Sequence, residues 1–394
     1  MLRIARSTVA VLALATTLLM PALAGADPKQ RPNADADARA TDAAASHGPS
    51  PIGPGRVVSS GPLPATLWLP GTARAHRVHY LSTGPFGLPV IVSGVVFIPQ
   101  GPTPAGGWPI VSWAHGTVGV ADVCAPSTAG RSARDIAYLT AWLKAGYAIV
   151  ATDYRGLGTL GRHPYLDGAA AAPDVIDMVR AARRVDHTLS RTWFAVGQSQ
   201  GAHAALFASA IATKYAPELD FRGSIATAPI TQWRMTITET DGLNPAFPAN
   251  PIAFEIMAGL EAVHPFTYRA ADSLTDTGRE IYGDALRSEC VPETATRVAG
   301  LLNGDVYDFD AARLERFIRL LEQEDIPIKT YDRPIYIAQG TADRVVYPPA
   351  TSLTAAQLAV AGTDVTFTVY TGADPNGVLA AALPDVLAFA AANR

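Results

Sequence analysis

The strongest constraint on the fold is a rhythm: short apolar, β-branched runs alternate with helical periodicity. Val90–Ile98 is apolar and bounded by Pro89 and Pro99, and Pro109–Trp113 is a second such run. Ser132–Ala145 reads as a helix. Ser132 and Asp135 form a capping pair, Ile136, Leu139 and Leu143 share one face, and Gly146 ends it. Tyr147–Ala151 is a buried strand, a helix starts near Pro173, and Thr192–Val196 is the next strand. A helix over 202–215 and the strand Ser224–Ala228 close the block. Strands spaced in this way by helices imply an α/β fold with a mostly parallel sheet covered on both faces.

The rhythm breaks over 230–330, which holds helical stretches and no convincing strand. It resumes with Pro334–Ala338, a helix over 350–361, the strand Val365–Tyr370 and a last helix from Val378. The spacing predicts a core in two parts, 56–229 and 331–394, with a helical cap, 230–330, inserted over the C-terminal edge of the sheet. That edge is where open α/β sheets carry their sites.

The N-terminus reads as a secretory signal over 1–26. Arg3 and Arg6 precede the apolar run Val9–Leu19, and Ala22-Leu23-Ala24 and Ala24-Gly25-Ala26 both have the small-x-small cleavage pattern. The run is short for a membrane anchor, which takes roughly 20 apolar residues. Residues 27–55, rich in Ala, Asp, Pro, Ser and Gly, read as a flexible leader because they cannot bury enough surface to fold. In an exported chain the two cysteines, Cys124 and Cys290, pair as a disulfide, the alternative being two buried thiols.

A formal net charge of -4 is too mild to indicate nucleic acid as a partner. No His/Cys/Asp cluster has metal-ligand spacing. Gly156-Leu157-Gly158 lacks the third glycine of a dinucleotide loop, so no cofactor is expected.

Chemistry concentrates at Gly197-Gln198-Ser199-Gln200-Gly201. The motif follows the strand Trp193–Val196 and precedes an alanine-rich helix, as a nucleophile elbow requires. Ser199 is the candidate nucleophile. Acyl transfer also needs donors for a tetrahedral oxyanion. The Gln200 backbone N–H supplies one, and the loop His115-Gly116-Thr117 supplies the other from Gly116 or Thr117, with His115 shaping the turn. The acid should follow a late strand. Asp343 stands there, in Gln339-Gly340-Thr341-Ala342-Asp343, whereas Asp332 lies at the wrong end of that strand.

Taken as a set, several stretches resemble the secretory lipases of bacteria and fungi. They are Ser112-Trp113-Ala114-His115-Gly116-Thr117, Cys124-Ala125-Pro126-Ser127, Thr152-Asp153-Tyr154-Arg155-Gly156-Leu157-Gly158, His163-Pro164-Tyr165, the elbow, and Gly340-Thr341-Ala342-Asp343. The resemblance implies an α/β-hydrolase core with a large helical cap and a lipid or small acyl-ester substrate. It also implies a catalytic histidine directly after a residue like Asp374. That position is Pro375, and no histidine follows His264. Proline cannot take a proton from Ser199, and a serine hydroxyl without a base is a weak nucleophile.

None of the other histidines is a convincing substitute. His203 lies on the helix leading away from the elbow, His264 lies in the cap, and His163 reads as structural. His76 and His79 read as solvent-facing, His187 as a helix end, and His47 lies in the leader. The sequence therefore supports two readings: a secreted serine lipase or esterase, or a silent relative that binds lipids or esters without turnover. An acyltransferase on the same site would need the same base. Phe247, Phe254, Ile256, Met257, Leu260, Phe266, Phe317 and Leu321 are candidates for an acyl pocket, most of them read as the cap's own core.

Overall fold

The computed structural model describes residues 53–394. The expected signal, and all but the last three residues of the expected leader, lie outside the described residues. One sheet runs in the order β1-β2-β3-β5-β4-β6-β7-β8-β9. Its strands are β1 Val57–Pro62, β2 Thr72–Thr83, β3 Pro89–Pro99, β4 Trp108–Ala114, β5 Ala148–Thr152, β6 Leu189–Gln198, β7 Asp220–Thr227, β8 Ile335–Gly340 and β9 Val365–Tyr370. The pairings of β1, β2 and β3 are antiparallel, including β3 with β5; every pairing from β5 through β9 is parallel. The expected mostly parallel sheet is therefore present.

Burial on both faces explains the composition of the central strands. β4, β5 and β8 are buried at every position, so polar alternation has no face to occupy. Neighbouring residues point into opposite cores. Val96, Val150 and Ala195 pack with α3 (Gly168–Val185) and α4 (Gln200–Tyr215). Val95, Ile149 and Phe194 pack with α2 (Ala133–Lys144) and α12 (Gly377–Ala392) on the other side. The short α1 is Pro126–Ala129, and α11 is Pro348–Val360. As the capping pair predicts, Ser132 accepts from the Asp135 N–H at 3.1 Å and starts α2.

The expectation that a helix begins near Pro173 is corrected: α3 begins at Gly168, and Pro173 lies inside it. The cause is Asp167, whose carboxylate accepts from the Ala170 N–H at 2.9 Å as an N-cap. The run Gly168–Ala172 has no apolar periodicity to announce it.

Between Ile230 and Thr330 the described chain is helical: α5 Trp233–Thr240, α6 Ile252–Val263, α7 Asp276–Ala285, α8 Val291–Val298, α9 Asn303–Val306 and α10 Ala311–Leu321. These helices share their own core, including Phe254, Met257, Leu260, Val306, Phe317 and Leu321. Cys124 and Cys290 are bonded, with Cα atoms 5.6 Å apart. The bridge ties the loop after β4 to the start of α8, and Val291 N–H donates to Val118 O beside it at 3.0 Å. Among the described residues no helix is long and apolar enough to cross a membrane.

Candidate active site

Strand register brings the candidate residues to one edge. Ala114 pairs with Gly197, Gln198 with Thr227, Thr227 with Ala338, and Gly340 with Tyr370. The segments leaving β4, β6, β8 and β9 therefore emerge side by side. They carry Gly116 and Thr117, Ser199, Asp343, and Pro375.

Ser199 is a sharp strand-to-helix turn with φ 56° and ψ −120°, a backbone conformation that costs a non-glycine residue of order 1–3 kcal/mol. It is held by its N–H donating to Thr227 O at 2.9 Å and by its carbonyl accepting from His203 N–H at 3.1 Å. Both flanking glycines are sterically required. A Cβ on Gly197 would lie 2.0 Å from Gly201 O, and one on Gly201 would lie 1.8 Å from Ala114 O. The helix thus starts against the loop after β4. Gln200 is its first residue, so its N–H has no intrahelical acceptor, and the helix dipole favours negative charge there. Among the described residues Ser199 Oγ has no hydrogen-bond partner.

Gly116 is pressed against Gln198: a Cβ there would meet Gln198 Oε1 at 2.6 Å. Thr117 Oγ1 and the Tyr165 hydroxyl share a hydrogen bond of 2.5 Å. The motifs behind this loop are scaffold. His115 is buried between Gly116 O (2.7 Å) and Asp153 O (3.4 Å), and Tyr154 OH donates to His115 O at 3.0 Å. Asp153 accepts from Ser93 Oγ at 2.6 Å and from Ser127 N–H at 2.9 Å. Burial lowers the His115 pKa, so the ring is a neutral spacer.

Asp343 is 5% exposed. Its Oδ1 accepts the N–H groups of Val345 and Val346, both at 2.8 Å, whereas Oδ2 is buried without a partner. Burial raises its pKa, the two N–H groups and the nearby Gln339 amide oppose the rise, and Asp374 adds to it. The Gln339 amide donates one N–H to Gly340 O at 3.2 Å, and its second N–H is the side-chain donor beside Asp343.

Pro375 sits in the loop after β9. That loop is drawn over β8 toward the elbow by two contacts. Ala342 N–H donates to Ala373 O at 3.0 Å. Arg134 reaches from α2 to Gln198 Oε1 at 3.2 Å and to Asn376 Oδ1 at 3.3 Å. One guanidinium thus spans the residue before Ser199 and the residue after Pro375.

Among the described residues no imidazole hydrogen-bonds to Ser199 Oγ. His203 points away from the elbow to Glu324 O at 2.6 Å, and burial lowers its pKa to about 4. His163 Nδ1 donates to Arg155 O at 3.0 Å, which leaves Nε2 to accept from the Gln200 amide at 3.1 Å; burial takes its pKa to about 3. His264 caps the C-terminal end of α6, its backbone bonded to Leu260, Thr267 and Tyr268.

The sequence did not point to the Arg134 bridge, the Gln200–His163 contact or the Tyr165–Thr117 contact. It also passed over Glu255 on α6, which is fully buried with both oxygens unpartnered and a pKa raised by burial to about 8. One signal was available: a lone acid in the first two turns of the apolar run Ile252–Leu260. Of the acyl-pocket candidates, Ile256 and Phe317 line a cavity of about 460 Å³ between α5, α6 and the segment 344–347. Phe254, Met257, Leu260 and Leu321 belong to the cap core, while Phe247 and Phe266 are exposed.

A mostly parallel sheet with a serine elbow at a strand end and a carboxylate after a later strand defines an α/β-hydrolase. The chain belongs to the secretory lipase family, whose profile matches residues 126–373. It is 25% identical over 254 residues to a Mycobacterium tuberculosis protein named probable inactive lipase, covering 61% of this chain and 55% of that one. It is 27% identical over 232 residues to lipase A of Moesziomyces aphidis, covering 55% and 48%. The chain thus spans about half the length of these curated relatives. The rice cell wall degrading esterase LipA of Xanthomonas oryzae superposes with a TM-score of 0.68 at 19% identity, covering 86% of this chain and 97% of that one. Closed-state Candida antarctica lipase A gives 0.65 at 21% identity, covering 83% and 79%. At these identities the likeness is one of fold.

Proposed function

We propose that the chain is a secreted carboxylic-ester hydrolase of the lipase and esterase class, acting on triacylglycerol or other acyl esters. The observation that carries this reading is the strained Ser199 turn, with the Gln200 N–H at a helix start and the Gly116-Thr117 loop packed against it. In this reading Ser199 Oγ attacks the ester carbonyl, and the N–H groups of Gln200 and of Gly116 or Thr117 receive the oxyanion. Asp343 is the acid that would orient and stabilise a protonated base. The mainly apolar cavity beside Val345 and Val346 is suited to an acyl chain. Export is supported by the Cys124–Cys290 bridge, since disulfides persist in oxidising compartments.

A second reading has its own support. Pro375 stands where the base belongs, Asp343 Oδ2 has no partner, and one relative is named probable inactive lipase. Under it the chain binds lipids or esters without turnover. Hydrolysis of a short and a long chromogenic ester by the native chain, Ser199→Ala and Pro375→His separates the two. The hydrolase reading expects the native rate to exceed that of Ser199→Ala. Equal rates favour the silent binder.

A further inference from the structure

The cavity of about 460 Å³ between α5, α6, α10 and the segment 344–347 carries a charge that an ester chain has no use for. Its volume lies within the roughly 300–1,000 Å³ usual for small-molecule sites. The wall is mainly apolar, built from Trp233 and Ile237 on α5, Ile252 and Ile256 on α6, Phe317 on α10, and Val346. The threonine hydroxyls along it are spent within the chain. Thr231 Oγ1 shares a hydrogen bond with Thr354 Oγ1 at 2.8 Å. Thr236 Oγ1 donates to Thr231 O at 2.9 Å, and Thr240 Oγ1 to Thr236 O at 2.6 Å.

One residue of the lining is charged, Arg344. It is exposed, and among the described residues it has neither an ion-pair nor a hydrogen-bond partner. Asp343, its neighbour in sequence, does not pair with it. That carboxylate is buried, and its Oδ1 is held by the N–H groups of Val345 and Val346. Trp233, Phe317 and Val346 are buried, whereas Arg344 and Val345 are exposed. The cavity therefore joins a dry apolar wall to a solvated rim with one unspent cation. A neutral chain satisfies the wall alone. A chain ending in a carboxylate satisfies both, since a guanidinium presents paired N–H donors that match a carboxylate and its charge stays in solvent.

We propose that this cavity is a binding site for a free fatty acid, its alkyl chain against the apolar wall and its carboxylate at Arg344. The inference goes beyond the hydrolase reading, because a free acid has no ester bond to cleave and needs neither Ser199 nor a base. Under the hydrolase reading the same acid is the released product; under the silent reading it is the ligand itself.

The test is isothermal titration calorimetry of the full chain with decanoate, 1-decanol and decyltrimethylammonium. The three share a ten-carbon chain and differ in head charge. The proposal expects saturable binding of decanoate, roughly five-fold or more tighter than decanol, with decyltrimethylammonium weaker than either. Added salt should weaken decanoate and leave decanol unchanged. Arg344→Gln should bring decanoate down to the affinity of decanol without altering decanol itself, and Arg344→Lys should keep much of the difference. Ile256→Trp, which fills the cavity, should weaken decanoate and decanol together. Ile252→Phe is the second filling variant if Ile256→Trp does not fold, and thermal melting checks the fold of each.

Equal binding of decanoate and decanol, or an equal loss of both in Arg344→Gln, overturns the carboxylate site and leaves a plain apolar pocket. Undiminished decanoate binding in a folded filling variant places the acid elsewhere and also overturns it, as does the absence of any decanoate binding. None of these outcomes bears on Ser199. The hydrolase reading fails separately, when the native chain and Ser199→Ala release acid from esters at the same rate.

Discussion

The Ala342 N–H donates to the Ala373 carbonyl at 3.0 Å, which fastens the loop of Asp343 to the loop that carries Pro375. Position 375 is therefore held close to Asp343's own segment, and in the hydrolase reading a histidine there is expected to meet that carboxylate. Pro375→His is expected to raise kcat for a short ester by at least about 10², since losing the base in another serine hydrolase costs on the order of 10⁶. Activity should rise with pH through the imidazole range, as the neutral ring is the competent base. Steady-state kinetics from about pH 5 to 9 checks this. A gain that persists in Ser199→Ala would assign it to the new imidazole acting alone.

Arg134 is a positioning residue for the same loop. It is partly exposed, so Arg134→Ala should cost about 1 kcal/mol of stability or less. Its effect should appear in the Pro375→His background, where loss of the Gln198–Asn376 bridge lets the imidazole wander. The expected result is roughly a ten-fold lower kcat at unchanged KM. A rise in KM alone would show that Arg134 serves substrate binding.

The Cys124–Cys290 bridge closes a sequence separation of 166 residues. Chain entropy over so long a loop gives a stabilisation of roughly 5 kcal/mol, with measured values usually nearer 2–4. The double variant Cys124→Ser, Cys290→Ser should melt at lower temperature. Hydrogen exchange should accelerate first near residues 286–291, before β4–β7. Uniform acceleration through the sheet would mean that the bridge acts on global unfolding alone.

What was legible in the sequence follows from burial. Strands β4 through β8, except for their exact ends, announce themselves because most of their residues are buried on both faces, whereas β9, with no buried residue, is read from its β-branched and aromatic composition. The elbow is legible because its glycines are sterically obligatory at fixed spacing. The start of α3 was not, because Asp167 caps a run of alanines that carries no periodic signal. The Arg134–Asn376 bond joins residues 242 positions apart, and nothing local encodes it. Strand order likewise depends on crossovers rather than on composition. The reading of Pro375 as the histidine position rests on the sequence alone, since it is the resemblance to secretory lipases that implies a histidine directly after a residue like Asp374.

Glu255 makes the cap sensitive to pH. Its charge would raise the pKa values of the Tyr165 and Tyr307 phenols further. Burial alone lifts its own pKa from 4.5 to about 8. The folded chain then keeps a proton that the unfolded chain loses, so stability falls as pH rises from near 4.5 and levels off above about 8. The ceiling on this loss is roughly 5 kcal/mol, reduced by any local opening that admits water. Asp177, raised to about 6, and Glu324, raised to about 7, slope in the same direction, so the native curve alone is not diagnostic. Glu255→Gln keeps the shape and cannot ionise. Its melting temperature should lie near the native value at about pH 5 and exceed it by several degrees near pH 9. Parallel curves across that range would show that Glu255 titrates as an ordinary, solvated acid.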